Sequence, residues 1–304
     1  MTKFYTCRWD AAFKEIFMKE ENKDILTSLL EKCLDVKIRD IEYLNVEDIV
    51  DNVHVRRKTY DLRLSTNIGR IQVEVNSDIY RYSRQRQMAY LSNEFSHYVL
   101  RGDDYQKDVQ MIQINFTYGL MTKFREDRLK YLYDEEELRI YEVRDDRGKK
   151  FISNFKIYEY NMDYYRNLWY TKDKEKIEEN KLFIMMDLEP NELELISKED
   201  KVVSKYMEEV QKINEDVRFV HFMTEEEDRR KMYNTRIKRE REIGEEIGEE
   251  RGKKVGREEG RKEGREEEKR QMIIQFYKNH VDIETIANSS GLSVEEVEKI
   301  VKEK

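Results

Sequence analysis

Cysteine is scarce. Cys7 and Cys33 are the only two in 304 residues, too few for a disulfide framework or a cysteine-built zinc site. A reduced, cytoplasmic protein is the expectation. His54, His97, His221 and His280 are scattered, without zinc-ligand spacing. No apolar run approaches the roughly 18 residues of a membrane-spanning helix, so no membrane association is expected. The opening Met1-Thr2-Lys3-Phe4-Tyr5 has no apolar signal core, which argues against a secretory route. There is neither a G-x-x-x-x-G-K phosphate loop nor a dinucleotide fingerprint. No excess of basic charge exists: 58 Lys plus Arg against 66 Asp plus Glu give a net charge of -8. That excludes nonspecific whole-surface binding to nucleic acid and leaves room for a local basic patch.

What is abundant is charge, 41% of residues, together with 20 Tyr and 12 Phe. Those aromatics are too plentiful for a disordered chain. Composition divides the sequence into residues 1–222, which hold nearly all the aromatics, 223–270, almost wholly charged, and 271–304, where apolar periodicity returns. In the first part Ala11, Ile16, Phe17, Ile25, Leu26, Leu29 and Leu30 recur at helical steps and predict an opening helix. Strands are predicted over Ile38–Leu44, Val55–Leu64, Ile71–Val75, Val109–Tyr118, Leu138–Val143 and Leu182–Met186. A long helix is predicted over Ile79–Leu100, ended by Gly102. Tyr158–Tyr170 reads as core and edge strand. The single proline, Pro190, reads as the first turn of a helix through Leu193 and Leu195. The order α-β-β-β-α-β makes an α/β fold, a mixed sheet flanked by helices.

The link Ser65-Thr66-Asn67-Ile68-Gly69-Arg70 predicts a hairpin between two of these strands. Alternation puts Leu62, Leu64, Val73 and Val75 on one face, and Asp61, Arg63, Glu74 and Asn76 on the other. If the Leu and Val face meets the core, Asp61, Glu74 and Asn76 converge on the open face. Paired carboxylates repel unless a cation holds them. Mg²⁺ takes hard oxygen ligands: one or two carboxylates, completed by water and phosphate oxygens. Solvated residues on the polar side of a hairpin give the same pattern. His54, Arg56, Arg57 and Lys58 precede Asp61, and Arg81, Arg84 and Arg86 follow the hairpin. Arg86 and Tyr90 share a helix face. Bases beside a metal pair suit a phosphodiester; a solvated helix surface is the other reading.

Asp10-Ala11-Ala12-Phe13-Lys14 with Phe17, Tyr60-Asp61-Leu62-Arg63, Ile71-Gln72-Val73-Glu74-Val75-Asn76, Arg86 to Tyr90, and Gly102-Asp103-Asp104-Tyr105 stand in one order over residues 9–118. The set resembles the bacterial PD-(D/E)XK nuclease family transposases, also called recombination-promoting nucleases. Leu182–Leu188, the charged glycine-repeat stretch and the terminal module are similar too. The resemblance implies a restriction-endonuclease-like fold and a Mg²⁺-dependent DNA endonuclease, with Mn²⁺ as the alternative ion, linked to recombination or mobile elements. It implies Asp61 and Glu74 as metal ligands and matches Arg86 to Tyr90 with the family's following helix; with Arg84 from the basic cluster, Arg86 and Tyr90 are expected at the DNA phosphate. Asp10 matches an N-terminal acid, with a helix cap as the plainer reading. Asn76 departs from the pattern: the wider superfamily has Lys there and this family usually Gln. An amide can hydrogen-bond a water but brings no charge.

Gly244, Gly248, Gly252, Gly256, Gly260 and Gly264 recur every fourth residue. On a helix this period drifts by about 40° per step, so the glycines form no single seam. Six glycines cost about 5–6 kcal/mol against alanine. Pairs such as Glu249–Lys253 return only about 0.2–0.5 kcal/mol each. A fraying helix, or one steadied by a partner chain, is expected; a solvated spacer is the favoured reading of the arm, and homo-oligomerisation through it is the other. Residues 271–304 read as a small helix-turn-helix-like module with Ser293 as cap and Glu296 three residues on. Its acids Glu295, Glu296 and Glu298 disfavour DNA reading. Three functions stay open: a metal-dependent endonuclease cutting with Asp61, Glu74 and Asn76; a DNA-binding protein on a catalytically weakened nuclease core; and an oligomeric assembly protein using the arm.

Overall fold

The structure, a computed structural model, describes residues 3–46, 59–77, 83–98, 110–121, 134–152, 154–198 and 200–302. It divides into two compact units, Met1–Glu225 and Glu226–Lys304. His54, Arg56, Arg57, Lys58, Arg81 and Gly102-Asp103-Asp104-Tyr105 lie outside the described residues, as do the start of the Val55–Leu64 prediction and the ends of the Ile79–Leu100 helix. Among the described residues no helix is long and apolar enough to cross a membrane.

The predicted opening helix is two helices, α1 (Asp10–Phe17) and α2 (Lys23–Leu34), with a 3₁₀ turn at Glu20–Asn22 between them. Asn22 sits at the break, and its Nδ2 donates to the Ile16 carbonyl at 2.9 Å. That bond satisfies a carbonyl orphaned where α1 stops. Both helices bury their apolar stripes: Ala12, Phe13, Ile16 and Phe17 from one, Ile25, Leu26, Leu29 and Leu30 from the other.

The strands are β1 (Ile41–Tyr43), β2 (Leu62–Thr66), β3 (Gly69–Asn76), β4 (Gln110–Thr117), β5 (Leu138–Glu142) and β6 (Phe155–Asn161). They form a six-stranded sheet in the order β1-β2-β3-β4-β6-β5. The central β3, β4 and β6 are parallel, and both edges are antiparallel. The hairpin forms where predicted, pairing Leu62 with Val73 and Thr66 with Gly69. Gly69 has φ +137°, and a Cβ there would collide with the Gln110 carbonyl oxygen on β4. Both the turn and the close approach of a parallel neighbour therefore require glycine. Gly69→Ala is expected to destabilise the first unit by at least about 2 kcal/mol, measured by urea unfolding; an unchanged midpoint would contradict this packing.

The sheet has two unlike faces. On one, Leu62, Leu64, Ile71, Val73, Val75, Ile112, Ile114, Phe116 and Tyr160 pack with α1 and α2, and with α4 (Met162–Thr171), α5 (Lys174–Ile184), α6 (Pro190–Ser197) and α7 (Lys201–Glu215). Pro190 opens α6 as predicted. Tyr160 stacks on Phe183 at 4.8 Å between ring centroids. Cys7 and Cys33 are free, buried thiols, and burial pushes Cys7 up to about 12, so neither is a reactive thiolate. The other face carries α3 (Ser83–Tyr98). There Leu91 packs with Met111, Phe155 and Ile157, with Phe95 against them, beside buried polar residues such as Gln72, Glu74, Gln113 and Glu159.

Two predictions need correction. Leu182–Met186 is not a strand: it ends α5 and enters a 3₁₀ turn, Met185–Asp187. Phe183, Ile184, Met185 and Met186 are all buried, and a short apolar run buried on every side does not reveal its period. The Tyr158–Tyr170 region supplies β6, which is interior between β4 and β5 rather than an edge, and then α4.

In the second unit the charged stretch is helical, within α8 (Val217–Lys278). A Cβ at any of Gly244 through Gly264 would meet nothing within 4 Å among the described residues. Glu249 and Lys253 pair at 2.6 Å. Helices α9 (Ile283–Ser290) and α10 (Val294–Lys302) fold onto the end of α8 around Ile273, Ile286, Ala287 and Val297. Ser293 and Glu296 form the predicted reciprocal cap, at 3.2 and 2.8 Å.

Candidate functional site

The hairpin delivers Asp61 at the foot of β2 and Glu74 near the end of β3. Asp61 is 6% exposed, Glu74 2% and Asn76 9%. The face expected to be open is thus covered: Arg86 of α3 reaches Glu74, and Lys14 of α1 reaches Asp61. Asp61 is held at both oxygens. Its Oδ1 lies 2.7 Å from Lys14 Nζ on α1, and its Oδ2 accepts the Val75 N–H at 2.8 Å. Glu74 Oε2 faces Arg86 of α3 at 3.4 Å. Glu74 Oε1 is buried with no hydrogen-bond partner.

Burial pushes Glu74 well above the ordinary carboxylate range, and the negative charge of Asp61 pushes it further, against the pull of Arg86. Burial also raises Asp61, against the attraction and hydrogen bond of Lys14. Lys14 would be lowered by burial, but Asp61 beside it carries it above its usual value. The two acids therefore sense each other. Hard carboxylate oxygens in this arrangement, one of them without a partner, fit a divalent cation such as Mg²⁺. Among the described residues no group of three or more His, Cys, Asp or Glu side chains converges on a metal position. Two carboxylates would leave the remaining coordination to water and phosphate.

The other sequence-selected residues fall around this pair. Asp10 is at the start of α1, with its carboxylate 3.8 Å from Lys14 Nζ and more than half exposed. It makes no capping bond. Asn76 Nδ2 donates to Thr117 Oγ1 at 3.4 Å, so its amide is engaged across the sheet. Arg86 stacks over Tyr90 at 5.0 Å, and Tyr90 packs against Tyr60. Arg84 stands 3.8 Å from the buried Glu159 of β6 and over the Tyr141 ring. The α3 arginines are thus directed to acids of the sheet.

Three participants escaped the sequence reading. Lys14 lies in the quoted opening segment without an assigned role, although its four-residue offset from Asp10 puts both on one helix face. Glu159 shares a register row with Asn115 and Glu74, and accepts from Gln87 and Tyr141. Glu94 takes Arg63 at 2.6 Å and Gln72 at 3.2 Å. Their partners lie on other elements, and alternation within one strand does not align it with another element.

The sequence model of one family, described as PD-(D/E)XK nuclease family transposase, matches residues 7–249. No curated protein and no solved structure gives a match.

Proposed function

The chain belongs to the PD-(D/E)XK nuclease family transposases, and from that premise we propose that it is a divalent-metal-dependent DNA endonuclease acting in recombination or the movement of mobile elements. The observation that carries the reading is the buried pair Asp61 and Glu74, with Glu74 Oε1 unpartnered. Asp61 and Glu74 would hold Mg²⁺, or Mn²⁺, which when bound supplies an activated water and stabilises charge on the phosphate. Arg86, with Arg84 and Tyr90, would exchange acids of the sheet for the DNA backbone. Asn76 would orient water only after leaving Thr117. Water attacks phosphorus in line with the scissile bond: a new O–P bond forms, the P–O3′ bond breaks, the attacking water releases one proton to solvent and the departing O3′ takes one from solvent. In this proposal 1–222 is the cutting core, 223–270 an arm and 271–304 a terminal module through which copies of the chain could associate.

The test is nicking of supercoiled plasmid with Mg²⁺, with Mn²⁺ and with chelator. Cutting is expected with either metal and none with chelator. Its pH dependence follows from the carboxyl groups. A carboxyl raised in the folded state stabilises the fold below its unfolded pKa, and that contribution is lost as pH rises through the folded value. In the metal-free site Glu74 therefore favours its proton, and a cation must displace it. Metal affinity and nicking should both rise with pH from the ordinary carboxylate range through the raised value. Flat profiles across that range would contradict the site.

A second reading, DNA binding without cleavage, is favoured by the engagement of the Asn76 amide with Thr117. Retarded DNA mobility with no nicking under either metal would support it.

A further inference from the structure

Two buried carboxylates on adjacent strands, with a third from Asp10 nearby, face two basic groups that come from helices on different elements. Arg86 is bonded to Glu74. Lys14 is the closer of the two bases, 2.7 Å from Asp61 and 3.8 Å from Asp10. Its side chain is about a quarter exposed, and its ammonium lies against the buried Asp61. α1 is fixed beneath it by Ala12, Phe13, Ile16 and Phe17. The lysine therefore has a rigid base and a flexible stem. Asn76, the polar residue two positions after Glu74 on the same strand face, brings no charge, and its amide is taken by Thr117.

We propose that Lys14 is the positioning cation of the cleavage site. With the Val75 N–H on the opposite oxygen, it fixes the plane of Asp61, and it places a positive charge where the anionic phosphate must arrive. The same charge repels an incoming metal ion. Lys14 should thus act in opposite directions on two measurable quantities: it weakens metal binding and strengthens cleavage. A lysine serving only to hold the fold would move both in the same direction. The cleavage half of this inference rests on the endonuclease reading; the metal-binding half does not.

The experiment uses the full chain, as wild type, Lys14→Gln and Lys14→Arg, each checked for an unchanged circular dichroism spectrum. Mn²⁺ alone is titrated by calorimetry, and plasmid nicking is measured at saturating Mn²⁺. Lys14→Gln is expected to bind Mn²⁺ about tenfold more tightly, because a neighbouring like charge is gone, and to nick about a hundredfold more slowly. Lys14→Arg keeps the charge and should nick within about tenfold of wild type. Weaker or unchanged Mn²⁺ binding by Lys14→Gln overturns the inference, as does no Mn²⁺ binding by any form. If wild type and Lys14→Gln nick equally, the inference fails and the endonuclease reading stands. If wild type does not nick but Lys14→Gln binds Mn²⁺ more tightly, the endonuclease reading fails and the placement of the charge stands.

Discussion

Asp61→Asn is expected to remove at least about 99.9% of metal-dependent nicking, equivalent to about 4 kcal/mol of barrier, while leaving the fold intact. The substitution is nearly isosteric. The asparagine carbonyl can still accept the Val75 N–H, while its NH2 replaces the oxygen that Lys14 reaches, which leaves that ammonium to Asp10 and solvent. What is lost is the charge that a divalent ion requires and that Lys14 pairs with at 2.7 Å. Glu74→Gln should behave alike, because it neutralises the one carboxylate with a buried, unpartnered oxygen. Asp10→Asn is the contrast: its carboxylate is more than half exposed and 3.8 Å from Lys14, so the loss should stay within about tenfold. Plasmid nicking at saturating Mn²⁺, with thermal melting beside it, checks all three. Wild-type rates from Asp61→Asn would remove the carboxylate pair from the mechanism.

The second large effect is on stability. Glu94→Ala should destabilise the first unit by about 3–5 kcal/mol, which for a unit of this size lowers the melting midpoint by about 10 °C. Glu94 is 4% exposed and accepts Arg63 Nε at 2.9 Å as well as its second terminal nitrogen. Removing it takes from Arg63 the buried carboxylate that two of its nitrogens reach, and leaves Gln72 without its acceptor. Arg63→Met combined with Glu94→Leu should recover most of the loss, because two apolar side chains of similar volume bury without an uncompensated charge. Calorimetric melting decides the matter. A single-mutant loss under about 1 kcal/mol would mean that the pair does not hold α3 to the sheet.

Much of this was legible in the sequence, and the reasons for the misses are physical. The hairpin was readable because Asn67 and Gly69 specify the turn, and period-two alternation then fixes which side chains share a face. That alternation brought Asp61 and Glu74 together on paper. It did not show that α3 would reach Glu74 and α1 would reach Asp61, because such contacts depend on long-range packing, and α3 joins the sheet through Leu91 and Phe95 among polar groups, too few apolar positions to read as a stripe. Leu182–Met186 was misread because its burial is complete. The opening helix was read as one because Asn22, which satisfies the Ile16 carbonyl, leaves no proline or glycine to mark the break. Lys14 carried no separate signal: its importance comes from an acid on another element 47 positions later in the chain.

The polar seam under α3 also governs how ionic strength should be interpreted. Arg84 and Arg86 already sit against Glu159 and Glu74 in the free protein. If they transfer to a nucleotide backbone, they exchange one anion for another. Added electrolyte then weakens the starting pairs as well as the final ones. The slope of log affinity against log salt ordinarily counts displaced counterions. For this chain it would undercount the backbone contacts made by these two arginines, and a shallow slope would be consistent with both of them on the backbone.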